Sequence, residues 1–328
     1  MSVKSLAARI HSYGPPEVLT FEDVFLPEPG EGEALVRHTV IGLNFVDVYF
    51  RRGSMDVASF PAVIGNEAAG IVEAIGPAVT HVKVGDRVVF GHSTGAYATL
   101  GIHPADRLVV IPDGVSDTQA AASFLKGLTA RYLVKDVVPL KPGDTILYHA
   151  AAGGVGQIFV QWAKSLGYHV IGTVSGESKI KVALKAGCDH VINYSTEDFV
   201  ARTFELTGGV GVEAVFDSVG EDTFRGSLAV LKVRGTLVQF GKASGEITPI
   251  DPYLLGPRGL HLTWPMLQHY VSTPEQTAEA AADLFARIKT GHLKVDPTHI
   301  YAFEDVVAAH RDLEGRHTMG SAVLRVKN

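Results

Sequence analysis

The run Ala151-Ala152-Gly153-Gly154-Val155-Gly156 has the residue types and spacing of a phosphate-binding turn. Set against the G-x-G-x-x-G pattern of dinucleotide sites, Ala151 takes the first position, Gly153 the second and Gly156 the third. A residue without a side chain at Gly153 lets the backbone approach a pyrophosphate, and Gly156 lets a helix pack closely on the preceding strand. The free N–H groups and positive dipole end of such a helix attract phosphate.

A second chemical signal lies at the tip of the next strand, Gly172-Thr173-Val174-Ser175-Gly176. An acidic residue there would accept bonds from a ribose 2′-hydroxyl and repel a 2′-phosphate. No acid stands at the tip. Glu177 lies past the glycine, Ser175 offers a hydroxyl, and Lys179 offers a cation, a set that favours NADPH over NADH.

These residues need a parallel sheet to position them. Thr145–His149 reads as a buried strand, followed by Val155, Ile158, Phe159, Trp162, Ala163 and Leu166 on one face of a helix that Gly167 ends. His169–Val174, a helix over Ser178–Ala186, and strands at Val191–Asn193, Val212–Asp217 and Gly235–Phe240 continue the alternation, which implies a parallel sheet covered on both faces. The first third is different. Short β-type runs at Ala34–Val40, Ala69–Ile75, Arg87–Phe90, Tyr97–Leu100 and Leu108–Ile111, separated by glycine and proline turns, predict a small barrel or sandwich. Ser116-Asp117-Thr118-Gln119 and Thr273-Pro274-Glu275-Gln276 are capping boxes. The first opens an Ala-rich helix to about Asp136, and the second a helix presenting Ala278, Ala281, Leu284, Phe285 and Ile288 on one face. A short helix near Glu304–Leu313 and a strand at Ser321–Val326 follow.

The 328 residues fit about two domains. A net charge of −6 without a basic block argues against a nucleic-acid partner. No apolar run is long enough for a membrane span and no signal peptide is seen, so a cytoplasmic protein is expected. The single cysteine, Cys188, excludes an internal disulfide and a four-cysteine zinc site, and the fourteen histidines form no His-Glu-x-x-His motif. His103 and His149 sit beside strands and read as structural.

Several segments together resemble the zinc-free medium-chain dehydrogenase/reductases, specifically NADPH:quinone oxidoreductases of the zeta-crystallin type. They are Ile41–Asp47, Gly65-Asn66-Glu67-Ala68-Ala69-Gly70, Val84–Val88, Ala120–Thr129, Ala150–Gly156, Val191–Tyr194 and Phe216-Asp217-Ser218-Val219-Gly220. The resemblance covers nearly the whole chain; Trp264-Pro265-Met266 departs from the family pattern. It implies an α/β chain with a GroES-like catalytic domain over residues 1–124, completed by 266–328, and a Rossmann domain over 125–265. It also implies that Asn44, Asp47 and Tyr49 serve catalysis near the nicotinamide, and that Ser175, Lys179 and Tyr194 surround the adenosine phosphate. Further implied cofactor contacts are Phe45, Val46, Tyr132, Gly154, Val155, Ser218, Phe240, Gly241 and Arg316.

Zinc-dependent relatives carry Cys and His where this chain has Asn44 and Asn66, and amides are poor zinc ligands, so no metal is expected. Without a Lewis acid, removing an alcohol proton at neutral pH is hard, whereas an electron-poor quinone or enone accepts hydride with hydrogen-bond help alone. The expected reaction is NADPH-dependent quinone reduction, with Tyr49 and Asn44 orienting the substrate or donating to the developing oxyanion. Two alternatives stand beside it: reduction of an enone or alkenal double bond, and a non-catalytic, crystallin-like or RNA-associated nucleotide-binding protein. The resemblance also implies a homodimer paired through edge strands, with Leu260-His261-Leu262 as the edge segment.

Overall fold

The structure is a computed structural model that describes residues 2–327. It divides into two units, one built from residues up to Leu128 together with those from Val271 onward, the other from Thr129–Tyr270.

The first unit begins with strands β1 (Val3–Ile10), β2 (Thr20–Leu26) and β3 (Glu33–Leu43), then helix α1 (Phe45–Arg52). Strands β4 (Ala62–Val63), β5 (Glu67–Ile75), β6 (Arg87–Gly91), β7 (Leu100–Pro104) and β8 (Val109–Val110) follow, and helix α2 (Asp117–Lys135) leads into the second unit. The expected strand at Tyr97–Leu100 is shifted. Ala98 instead forms a bridge to Ala7 of β1, the backbone of Tyr97 accepts from Ala8, and regular β7 starts at Leu100. Long-range pairing with the N-terminal strand overrides the local β-propensity there. Ser116 caps α2 as expected: Gln119 N–H donates to Ser116 Oγ, and Ser116 N–H to Gln119 Oε1.

The second unit carries strands β9 (Thr145–Tyr148), β10 (His169–Val174), β11 (His190–Asn193), β12 (Val212–Asp217), β13 (Leu231–Gln239) and β14 (His261–Thr263). Helices α3 (Gly154–Ser165), α4 (Glu177–Ala186), α5 (Phe199–Leu206) and α6 (Glu221–Ala229) alternate with them. All pairings are parallel, in the order β11-β10-β9-β12-β13-β14. The order reverses between β9 and β12, which puts the topological switch point beyond their carboxyl ends. Strand β13 starts earlier than the sequence suggests and ends at Gln239, with Arg234 at φ 65° where its pairing with β12 shifts register. Tight packing demands small residues here. A Cβ on Gly172 of β10 would lie 2.6 Å from Cys188 Sγ and 2.8 Å from Ala151 Cβ. Cys188 is buried, and burial pushes its thiol up to about 12.

The chain then returns to the first unit with α7 (Pro274–Lys289), β15 (His299–Ala302), α8 (Val306–Glu314) and β16 (Ala322–Arg325). Thr273 and Gln276 form the expected capping box. The buried face of α7 runs through Thr277, Ala280, Ala281, Leu284, Phe285 and Ile288; Ala278 is exposed, one position off the stripe. Strand β16 completes a seven-stranded sheet, β15-β16-β3-β5-β6-β8 with β7 added to β3, and β2-β1-β4 forms a second, three-stranded sheet. Both bury their apolar faces in one core that includes Ile10, Ile41, Ile64, Val88, Phe90, Phe303 and Leu324. His38 and His103 lie inside this unit, their Nε2 atoms 3.0 Å apart.

Candidate functional site

In the second unit, β9 leads to a turn in which Ala150 adopts φ 57° and Ala151 N–H bonds to Thr173 O. Gly153 is the N-cap of α3 at φ −77°, ψ 174°, a conformation open to any residue. A Cβ there would meet only Ala150 O, at 3.1 Å, so neither backbone conformation nor internal packing demands a glycine at this position. A Cβ on Gly156 would lie 2.5 Å from Ala150 O and 2.8 Å from Ala151 O, so this glycine keeps the helix tight on its own turn. Helix α5 is capped by Asp198 and α7 by Thr273, whereas α3, α4 and α6 start at Gly153, Gly176 and Gly220 with no side-chain cap. The first N–H groups of an α-helix lack acceptors within the helix, so α3 presents Gly154, Val155 and Gly156 to an incoming anion, with no acidic residue in its first turn.

At the tip of β10, Lys179 Nζ donates to Ser175 Oγ at 3.3 Å, and Ser195 Oγ donates to Ser175 O. Tyr194 N–H bonds to Val174 O, so Ser175, Lys179 and Tyr194 share one strand end, while Glu177 is exposed at the start of α4. The loop after β12 that holds Ser218 is fixed by buried Asp217, which accepts from Val219 N–H, Gly220 N–H, Thr223 and Ser227. Phe240 N–H returns to Asp217 O, and a Cβ on Gly241 would meet Ser218 O at 2.8 Å. Tyr132 stacks on Tyr270 at 4.4 Å between centroids, and burial raises its phenol. His149, fully buried, pairs with Thr173 and Ser227 hydroxyls, a structural role.

In the first unit, Asn44 is the N-cap of α1: its backbone N–H donates to Asp47 Oδ2, and Asp47 N–H returns to the Asn44 backbone carbonyl at 3.0 Å. Phe45, Val46 and Tyr49 are half-buried along this helix, Phe45 and Tyr49 edge to face at 5.4 Å. Arg316 follows α8 at φ 59°. Asp47 is fully buried and accepts from Asn44 N–H at 2.9 Å, Asn66 Nδ2 at 2.8 Å and the Tyr97 hydroxyl at 3.0 Å. Burial nevertheless pushes its carboxyl up to about 6, against these donors and the Lys126 cation.

Asn44 Nδ2 donates to Glu67 Oε2 at 2.8 Å and, at 3.4 Å, to Gly42 O. A carboxylate only accepts, so the amide nitrogen must face Glu67. Both amide N–H groups are therefore committed, and the side-chain group that Asn44 has left for a ligand is its acceptor oxygen. This geometry gives it no donor for a developing oxyanion. The sequence alone does not point to Glu67, Lys126, Tyr97, Arg51 or His310 as site residues. A lone lysine in the apolar run Phe124-Leu125-Lys126-Gly127-Leu128 is the signal that could have exposed one of them.

Residues 30–113 match the family described as alcohol dehydrogenase GroES-like domain, and residues 154–287 the zinc-binding dehydrogenase family. The quinone oxidoreductase of Salmonella typhimurium is 47% identical over 97% of this chain and 99% of its own length. The chain belongs to the quinone oxidoreductase family. The crystal structure of the Escherichia coli quinone oxidoreductase complexed with NADPH matches at a TM-score of 0.95 and 44% identity, over 98% of this chain and 100% of that one. A 2-haloacrylate reductase of a Burkholderia species is 43% identical over 97% of this chain and 98% of its own length.

The zinc named in one matched family does not fit the donor set of this quinone oxidoreductase family member. Asn44 and Asn66 turn their N–H groups, not their oxygens, toward Glu67 and Asp47. The Lys126 ammonium already lies 3.2 Å from Glu67 Oε2. These are hydrogen-bond partners for each other rather than ligands for a cation.

Proposed function

We propose that this chain is an NADPH-dependent quinone reductase that works without a metal. The observation that supports it most is the bare Gly153 cap of α3 beyond the sheet's switch point, with Ser175 and Lys179 at the neighbouring strand tip and no acid there. NADPH, when bound, supplies a hydride. In this reading Gly153, Gly154, Val155 and Gly156 hold the pyrophosphate, and Ser175, Lys179 and Tyr194 recognise the 2′-phosphate. Tyr132, Ser218, Phe240, Gly241 and Arg316 complete the cofactor contacts. Phe45, Val46, Asn44, Asp47 and Tyr49 serve the reacting end, where Tyr49 orients the acceptor and Asn44 accepts a hydrogen bond.

The working form is a homodimer paired through β14, the sheet's edge strand, and the compartment is the cytoplasm, with neither membrane nor nucleic acid as partner. Among the described residues, no helix is long and apolar enough to cross a membrane. The test is NADPH and NADH oxidation with an ortho-quinone, a para-quinone and a 2-alkenal. Quinone turnover with a preference for NADPH is expected. Turnover of the alkenal alone would replace this reading with double-bond reduction, which the 43% identity to a 2-haloacrylate reductase favours as the second choice. Tight NADPH binding without turnover of any acceptor would leave only the non-catalytic alternative.

A further inference from the structure

Glu67 is fully buried at the start of β5, where it accepts hydrogen bonds from α2 and from Asn44, the N-cap of α1. Its Oε1 accepts from Leu125 N–H of α2 at 2.7 Å. Its Oε2 accepts from Lys126 Nζ at 3.2 Å and from Asn44 Nδ2 at 2.8 Å. Lys126 is itself only 6% exposed. The backbone is shaped around this carboxylate: a Cβ on Gly42 would fall 2.2 Å from Glu67 Oε2.

A buried ion pair is a poor source of stability, because apolar residues of similar volume do as well or better. What this pair supplies is a fixed polarity. Lys126 Nζ and Asn44 Nδ2 meet on the same carboxylate oxygen, so the cation that fixes Glu67 Oε2 also fixes the acceptor toward which the Asn44 amide turns its nitrogen.

We propose that Lys126 is a positioning residue that acts through Glu67 to hold Asn44 as an acceptor for a hydroxyl or N–H donor on the bound cofactor. The inference rests on the proposed NADPH-dependent activity. It assigns to an internal ammonium the ordering of residues that stand where zinc-dependent relatives carry their ligands.

A double-mutant cycle on NADPH affinity, read by quenching of protein fluorescence, tests it. Lys126→Met and Asn44→Ala should each weaken NADPH binding by about tenfold, the size of one hydrogen bond. The double variant should be no weaker than Asn44→Ala alone, and Lys126→Arg should restore most of the loss. Additive losses, or an unchanged affinity in Lys126→Met, overturn the proposal. A ligand-free arm uses the side-chain amide resonances of Asn44, assigned by their disappearance in Asn44→Ala. They should shift in Lys126→Met and remain in place in Lys126→Arg, and an unmoved pair in Lys126→Met also overturns the proposal. If Lys126→Met does not fold, Lys126→Gln takes its place in both arms. Failure of the wild-type chain to bind NADPH would instead strike the proposed function, and the amide spectrum would still decide the positioning role.

Discussion

Tyr97 donates its phenolic proton to Oδ2 of Asp47 across 3.0 Å, and the direction of that bond is fixed from behind. Arg51 Nη1 lies 3.0 Å from His310 Nδ1, and an arginine can only donate. A neutral His310 must then carry its proton on Nε2, which reaches the Tyr97 oxygen at 2.8 Å. Burial and the Arg51 charge lower His310 to about 3, so it stays neutral. The chain Arg51–His310–Tyr97–Asp47 thus runs one way, anchored by Glu314 on Arg51 Nη2 at 2.7 Å. It ends on the carboxylate that also receives the backbone N–H of Asn44.

Tyr97→Phe should therefore leave His310 Nε2–H without its acceptor and Asp47 short of one donor. We expect a loss of about 1–3 kcal/mol in urea unfolding at pH 7. Asp47 ionises in the folded chain only near pH 6, above its ordinary 3.8, so its ionisation opposes folding as pH rises. The variant should extend that penalty to higher pH, seen as a stability deficit that grows between pH 6 and 8.

Acid should destabilise the wild type through its histidines. His38 is lowered to about 4 by burial, His310 to about 3, and His103 lies well below its usual value. Each takes up a proton on unfolding between pH 6.5 and about 4, so stability falls as pH falls through that window. Removing one such group with His38→Gln should flatten the slope by up to about 1.4 kcal/mol per pH unit. Unfolding free energies measured every half unit of pH would check it, and an unchanged slope would mean that His38 is protonated in the fold.

Gly153 and Gly156 should separate binding from folding. Gly153→Ala places its Cβ 3.1 Å from Ala150 O, which a slight adjustment accommodates, so thermal stability should hold while NADPH affinity drops at least tenfold. Gly156→Ala collides with two carbonyl groups of the turn and should lower the melting temperature by several degrees before any ligand is added. Differential scanning fluorimetry with and without NADPH distinguishes the two patterns.

Gly42→Ala drives a Cβ into Glu67 Oε2 and lies 2.4 Å from Ala121 O. Displacing Glu67 breaks a buried ion pair, and a loss above about 3 kcal/mol in chemical denaturation is expected.

The parallel sheet was legible because its strands are short apolar runs and its helices repeat apolar residues at helical spacing, as in Ile158, Phe159 and Trp162. Both capping boxes announced their helices by side chains three residues apart. Helix α1 was not legible. Phe45-Val46-Asp47-Val48-Tyr49-Phe50 is rich in β-formers, and its helical form depends on the Asn44–Asp47 cap and on Gly53 at φ 79°. The Glu67–Lys126 pair was beyond reach for a different reason. Its members lie 59 residues apart on a strand and a helix, and only tertiary packing reveals that both charges are buried.

The packing of Gly172 against Cys188 bears on survival in the presence of the proposed acceptors. Quinones arylate thiolates by conjugate addition, a route to suicide inactivation. The only sulfhydryl of the chain is buried beside that strand and kept protonated far above neutral pH, so it presents no nucleophile to its own substrates.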